Sequence, residues 1–453
     1  MKTAIPINKK LFEIYVLFTR EPFVKHFTEE LEFFSNGNGG LIGLISLDLT
    51  DNDFYGCILS RDKSKQYRAE LIKASIPTIE EARNWIDENM GNNSIVHHDN
   101  NSDYFDIFQE LNNENKQHPN YKLLKENIAL LSAKTVVKEI SYHYKDIDGN
   151  FIDQFQSLNG FDSRVWELFL FCFFREQFFS FKRNYNAPDY LIEKFNHEIA
   201  VEAVIVSRKT ELENKIEIED LKKLQESLAN EIPLLFGSAL FDKMKKKYWE
   251  KEHVKGKPFA IAIADFHDTM SMTWTYNALL DYLYGYRYEH SFDDKGKIVV
   301  KPIKIGNYKK SNGTEIPSGF FFQPNSEHVS AIIFSTCGTL SKFNRMGKQA
   351  GFGTDKNILI RFGTFYNHTP NADKPEIVSY QVNEESDETW SEGVAVYHNP
   401  NALIPLNPEF FDDRVAQSFF DKEDKLIHSK MPKKFPYNSF TQNILKVKGE
   451  NKN

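Results

Sequence analysis

One glutamate constrains this chain more than any other residue. Residues 199–206 read Ile-Ala-Val-Glu-Ala-Val-Ile-Val, an apolar β-branched run that predicts a strand, and Glu202 stands in its middle. Side chains alternate across a strand, so Glu202 shares a face with Ala200 and Val204. A carboxylate embedded there is costly unless something pairs with it.

The surrounding stretch, residues 163–265, reads as a helix, an extended segment, a second strand, a basic helix and a third strand. The helix is residues 163–174 with Glu167 in its early turns and Asp162 or Ser163 as N-cap. The extended segment, residues 187–192, follows a proline and opens with Asp189. A basic helix over 238–249 and an apolar strand over 258–265 complete the order. A second carboxylate beside Glu202 would repel it unless a cation sat between them. Two carboxylates and a backbone carbonyl form a hard oxygen site suited to Mg²⁺, which keeps waters and takes substrate phosphate as further ligands. One such water can become the nucleophile of phosphodiester hydrolysis.

A helix with Glu167, then Pro188-Asp189, then Glu202-Ala203-Val204, then a helix and a strand resembles the PD-(D/E)XK superfamily of restriction-endonuclease-like nucleases. The resemblance covers about a quarter of the chain, and its motif is short, so element order counts as much as letters. It implies a central mixed sheet flanked by helices, and Asp189 and Glu202 as ligands of Mg²⁺ or Mn²⁺ with Glu167 joining through water. It also implies DNA as the substrate, with genome defence or restriction as context. The family lysine belongs at position 204, where this chain has Val204. Members of the superfamily also supply the lysine from the following helix, and Lys243, Lys246 and Lys247 stand there at spacings that share one helical face. Lys209 is too far: seven strand residues at ~3.3 Å each carry it over about 20 Å from Glu202. Val204 leaves a second expectation open, a nuclease-like module that binds nucleic acid or a protein without cutting.

Charge and composition fit an enzyme that visits nucleic acid rather than one that coats it. The net charge is −8, whereas a dedicated DNA-coating protein is basic. The basic residues are local: seven lysines fall between 243 and 257, inside the stretch that carries Glu202. A second basic segment, residues 341–348, reads as a loop in which Lys342 and Arg345 flank Phe343, placed to touch phosphates or a partner. Asp265 and His267, at the end of the last strand, and His398, in a strand-to-turn segment, are second-rank site candidates. Asp48, Asp51 and Asp53 lack the later glycine and glutamate of an EF-hand and read as turn chemistry. Three scattered cysteines indicate neither a disulfide framework nor structural zinc. There is no P-loop, GxGxxG, GxSxG or HExxH, so no nucleotide cofactor is expected. The first ten residues lack a signal peptide's apolar core, and the Phe-rich run 169–181 is too short and too charged to span a membrane. The expectation is a cytoplasmic protein that partners DNA, with a second copy of itself or another protein as a further partner.

The chain as a whole predicts a multidomain α+β or α/β protein. Residues 1–95 form a small α/β unit, with a strand at 11–18, a helix at 21–34, strands at 41–48 and 53–60, and a helix begun by the Thr78–Glu81 capping box. Residues 96–160 hold an Asn/Asp/His-rich linker with His97-His98, a helix at 121–133 and a hairpin at 136–155 turning at Asp148-Gly149. The nuclease-like core occupies 161–290 and closes with an aromatic helix at 276–288. A strand-rich C-terminal region spans 291–430, with strands expected at 297–305, 320–322, 329–334 and 357–363, and a frayed tail spans 431–453.

Overall fold

The computed structural model describes residues 3–37, 39–91, 105–111, 114–182, 184–207, 221–310 and 313–446. His97-His98 and Lys209 lie outside these residues. The fold is mixed α and β, with several sheets.

Its centre is an eight-stranded sheet and the helix Phe161–Glu176. The helix sequence is apolar almost all round, so it has no solvent stripe to offer, and twelve of its residues are buried. Gly160 rather than Asp162 or Ser163 stands at its N-cap. Trp166 fixes it on the sheet by donating from Nε1 to the Ala262 carbonyl at 3.1 Å. In spatial order the sheet runs Ser180–Phe181, Tyr190–Lys194, His197–Val206, Phe259–Asp265, Ala331–Ser335, Val394–His398, Ala416–Phe420 and Ile427–Lys430. The first three strands are antiparallel neighbours. His197–Val206, Phe259–Asp265 and Ala331–Ser335 then run parallel. A parallel step needs a crossover, and helices Leu221–Asn230 and Ile232–Met244 supply the first. Phe259–Asp265 is buried at every position, as a strand covered on both faces must be. The boundary expected at 290 crosses this sheet: strands at 331, 394, 416 and 427 extend it directly.

One turn sets the register that matters most. Tyr190–Lys194 and His197–Val206 are joined by the two residues Phe195 and Asn196, both with positive φ, 52° and 61°. A two-residue loop of that hand matches the strand twist and fixes Lys194 opposite His197. The pairing then steps through Leu191 opposite Ala200 to Tyr190 opposite Val201. Its next step brings Asp189 opposite Glu202.

The N-terminal unit is a five-stranded antiparallel sheet, Ile5–Pro6, Thr28–Ser35, Leu41–Asp48, Phe54–Arg61 and Tyr67–Ile76. Helix Ile79–Met90 covers one face, capped as expected by Thr78 Oγ1 accepting from Glu81 N at 3.3 Å. Residues 11–18, expected as a strand, lie mostly in the helix Lys9–Val16, capped by Asn8. Its alternating burial misleads for a physical reason. Phe12 and Val16 pack into the N-terminal sheet while Ile14 joins the main core, so the helix is squeezed between two apolar surfaces. Residues 21–34, expected as a helix, form a 3₁₀ turn, Pro22–His26, and the strand Thr28–Ser35, whose Phe33 and Phe34 point into the two opposite cores.

Local spacing also misled elsewhere. The hairpin expected at 136–155 is a pair of helices, Leu131–Ser141 and Phe151–Gln156. Val136, Val137 and Ile140 form a helical face, and Asp146 caps the turn between the helices by accepting from Gly149 and Phe151 N–H at 2.9 Å each. The aromatic helix stops at Tyr284, where Gly285 takes φ 75°, and the chain continues as the strand Tyr286–Phe292. Phe320–Phe322 is a 3₁₀ turn. Residues 436–445 of the expected frayed tail are a ten-residue strand paired with Asn357–Phe365.

Helix Leu340–Gln349 packs so closely on Leu131–Ser141 that a Cβ on Gly347 would lie 2.5 Å from the Ser132 carbonyl oxygen. That contact is backbone and cannot swing aside. Gly347→Ala is expected to cost about 1–3 kcal/mol, read as a lowered urea midpoint at unchanged slope.

Candidate active site

The carboxylates of Asp189 and Glu202 meet at one end of the hairpin. Glu202 is 4% exposed, and Asp189 is half-buried. Glu202 Oε2 lies 3.3 Å from the Asp189 N–H, and Asp189 Oδ2 accepts from the Ala203 N–H at 2.8 Å. Each side chain therefore reaches across to the other strand's backbone. Burial pushes the Asp189 carboxyl well above the usual carboxylate range, and the charges of Glu202 and Glu167 push it further. The Ala203 N–H and Lys243 offset only part of this. Two carboxylates crowded together resist ionising together unless positive charge is brought to them.

Lys243 supplies positive charge. Its Nζ lies 2.6 Å from Glu202 Oε1, and its side chain is 20% exposed. The helix that carries it is Ile232–Met244, so the lysine arrives on the last turn, one residue before the helix ends. Lys246 and Lys247 therefore do not share a helical face with Lys243. Lys247 sits past the helix with φ 46°, paired with Glu250 at the surface, and Lys246 lies over the Tyr248 ring. Neither reaches the carboxylates.

Sequence reading missed Tyr248. Its hydroxyl donates to the same Glu202 Oε1 at 2.6 Å, and the residue is 3% exposed. Burial and the Glu202 charge push this phenol up, so it stays protonated and keeps donating. Its signal is its place: the short 3₁₀ turn Tyr248–Glu250 after the lysine helix turns the ring inward.

Glu167 is near enough for its charge to act on Asp189, but both its oxygens are engaged. Arg164, one turn earlier, donates to Oε1 and Oε2 at 2.9 and 2.8 Å, and Tyr144 donates to Oε2 at 3.0 Å. The Tyr190 hydroxyl donates to the Glu167 carbonyl at 2.7 Å, tying the helix to the first residue of the strand after Asp189. Tyr144 lies far from the motif and carries no sequence signal. Arg164 is visible only as an i, i+3 partner on the helix.

The other candidates stand apart. Asp265 is the last residue of its strand and pairs with Val206, four residues or about 13 Å along from Glu202. Its Oδ1 lies 2.6 Å from His267 Nδ1, so the two form a pair of their own. His398 is three strands or about 14 Å away, buried, and bonded through Nε2 to Gln417 at 3.0 Å. Lys342 and Arg345 are not on a basic loop. They lie in helix Leu340–Gln349 and are 0% and 1% exposed. Lys342 Nζ meets Glu388 Oε1 at 2.8 Å, Arg345 meets the same carboxylate through two nitrogens at 2.7 and 2.8 Å, and Arg361 pairs with Glu392 at 2.7 Å. Burial works to raise the Glu388 carboxyl, but Arg345, Arg361 and Lys342 overcome it and hold it well below the usual range. These cations are consumed inside the protein and cannot touch phosphates.

Among the described residues, one group of three acidic side chains lies within 4.8 Å: Asp48, Asp51 and Asp53. They bond to their own turn, Asp48 Oδ1 accepting from Thr50 N at 2.8 Å. No helix among these residues is long and apolar enough to cross a membrane. The chain matches no family profile, no curated protein and no solved structure.

The raised Asp189 carboxyl has a consequence for stability. Between the carboxyl's unfolded value and its higher folded value, the folded state holds the extra proton, so stability falls as pH rises through that window. Asp189→Asn removes the charge while keeping an oxygen for the Ala203 N–H. The variant is expected to unfold at a higher urea concentration than wild type at pH 8, with the gap closing towards pH 4.

Proposed function

We propose that this chain is a metal-dependent nuclease of the PD-(D/E)XK-like type that hydrolyses phosphodiester bonds of DNA. One observation carries the reading. A helix, three antiparallel strands, two helices and a parallel strand follow in order, and they bring Asp189, Glu202 and Lys243 together. Lys243 stands in for the lysine that Val204 replaces: position 204 lies on the strand, but the ammonium reaches the same carboxylate from the helix that follows.

The donor set fits a hard divalent ion. Asp189, half-buried, and Glu202, buried, offer carboxylate oxygens side by side, and the charge they crowd together is the kind that Mg²⁺ or Mn²⁺ relieves. Such an ion supplies a water acidified for attack and charge to neutralise the phosphate. The chain's own groups do the rest. Tyr248 holds Glu202 Oε1 in place. Lys243 has the reach to leave that oxygen and donate to a phosphate oxygen as negative charge develops there. Arg164 and Tyr144 hold Glu167 beside Asp189, where it adds negative charge and can accept from a bound water. Asp189 must be ionised to act as a ligand, so ion binding releases a proton and tightens as pH rises.

The test is cleavage of plasmid and single-stranded DNA with Mg²⁺ or Mn²⁺. Wild type is expected to cut, Asp189→Ala and Glu202→Ala to lose detectable cutting, and Lys243→Ala to lose about 10²–10³ in rate. Lys247→Ala is expected to retain it. Cutting that survives both carboxylate substitutions would place the chemistry elsewhere.

A further inference from the structure

The segment that carries Lys243 touches the candidate site at a third point. Lys243 and Tyr248 reach Glu202, and His253 reaches the loop that leads into Asp189. The His253 Nε2 donates to the Ala187 carbonyl at 2.9 Å; a carbonyl only accepts, so this nitrogen carries the proton. The imidazole then lies flat against the Tyr185 ring, with ring centres 3.8 Å apart and planes 3° from parallel.

Tyr185 is 43% exposed. Among the described residues, no ring other than His253 stacks on it and no cation lies over it. Its neighbours Asn184 and Asn186 are exposed and uncharged. It stands four residues before Asp189, so the chain between them spans at most about 13 Å. An aromatic ring held on one face and open on the other therefore borders the carboxylate pair. A ring already locked by its stack on His253 loses little freedom when a ligand covers it.

The charge beside this ring suits a polyanion. Of the seven lysines between 243 and 257, four are paired: Lys243 with Glu202, Lys245 with Asp242, Lys247 with Glu250 and Lys257 with Glu198. Lys246, Lys251 and Lys255 are exposed and make no ion pair among the described residues, and Glu252 is the acid of this segment that is likewise unpaired. Lys246 lies 6.0 Å from the centre of the Tyr248 ring, next to the group that holds Glu202. Lysines that no carboxylate neutralises, beside an open aromatic face, match a single strand of nucleic acid. Its phosphates follow the cations and an unstacked base covers the ring. A duplex meets only half of this, because its bases already cover one another and must leave the stack to reach a side chain.

We propose that the substrate of this site is single-stranded DNA, with a base beside the scissile phosphate stacked on Tyr185 and flanking phosphates on Lys246, Lys251 and Lys255. The inference rests on the nuclease reading and adds the strandedness of the substrate to it. Fluorescence anisotropy with a labelled thymidine 15-mer, alone and annealed to its complement, tests it. EDTA is present throughout, so binding is read without cutting. The single strand is expected to bind at least about tenfold tighter than the duplex. Tyr185→Ala is expected to weaken the single strand about tenfold, and Tyr185→Trp to keep it bound as in wild type. Tyr185 is exposed, so both variants are expected to fold, read as an unchanged urea midpoint. Lys251→Ala and Lys255→Ala are each expected to lower the slope of log affinity against log salt by about 0.7. No binding of the single strand would overturn the proposal. So would a duplex bound as tightly, or a Tyr185→Ala variant that binds like wild type. Metal-dependent cutting of duplex as fast as single strand, with Tyr185→Ala no slower, would overturn it and leave the nuclease reading standing. Tyr185-dependent binding of the single strand by a chain that cuts neither substrate would uphold the stacking platform and sink the nuclease reading.

Discussion

A two-residue turn decides which side chains meet at the candidate site. Phe195 and Asn196 fix the register of the hairpin, and that register carries Asp189 to the position across from Glu202. A slip of one residue would turn every side chain of the strand to the other face, sending Glu202 away from Lys243 and Tyr248. The apolar residues on both strands hold the register, because Leu191, Ile192, Ile199 and Val201 are all buried in it. The cost of burying Glu202 beside the half-buried Asp189 is offset by the packing around them and by the charge of Lys243.

Much of this was legible in the sequence. The strands expected at 199–206 and 258–265 and the helix around Glu167 follow from apolar runs broken by single acids, and they stand at 197–206, 259–265 and 161–176, while the Asp189–Glu202 pair came from the nuclease resemblance. The midpoint of 189 and 202 falls between Phe195 and Asn196, so the turn and the pairing are one fact seen twice. The helix Lys9–Val16 was not legible, because its two buried faces produce an alternation that belongs to strands. Neither was the reach of the C-terminal half. Its strands at 331, 394, 416 and 427 look like a separate region in sequence, yet they complete the central sheet, because three of the four reach their neighbours across long connections that no local pattern records.

The basic residues separate composition from position. Lys243, Lys246 and Lys247 look equivalent in sequence, but the helix ends at Met244 and only the first reaches a carboxylate. Lys342 and Arg345 look like a phosphate-contacting loop, but they are spent on Glu388 inside the protein. Their partner lies about forty residues further along, which is why the segment reads as uncompensated. Arg175 shows the opposite case, a buried cation that hydrogen-bonds only to carbonyls, with the Glu21 carboxylate acting on it through charge alone.

The proposed nuclease reaction requires a divalent ion shared by Asp189 and Glu202. Crystals soaked in Mn²⁺ and measured at the manganese absorption edge test it most directly. The predicted result is an anomalous peak between the two carboxylates, with the Lys243 ammonium displaced from Glu202 Oε1. An empty carboxylate pair, or a peak only at Asp48, Asp51 and Asp53, would contradict it.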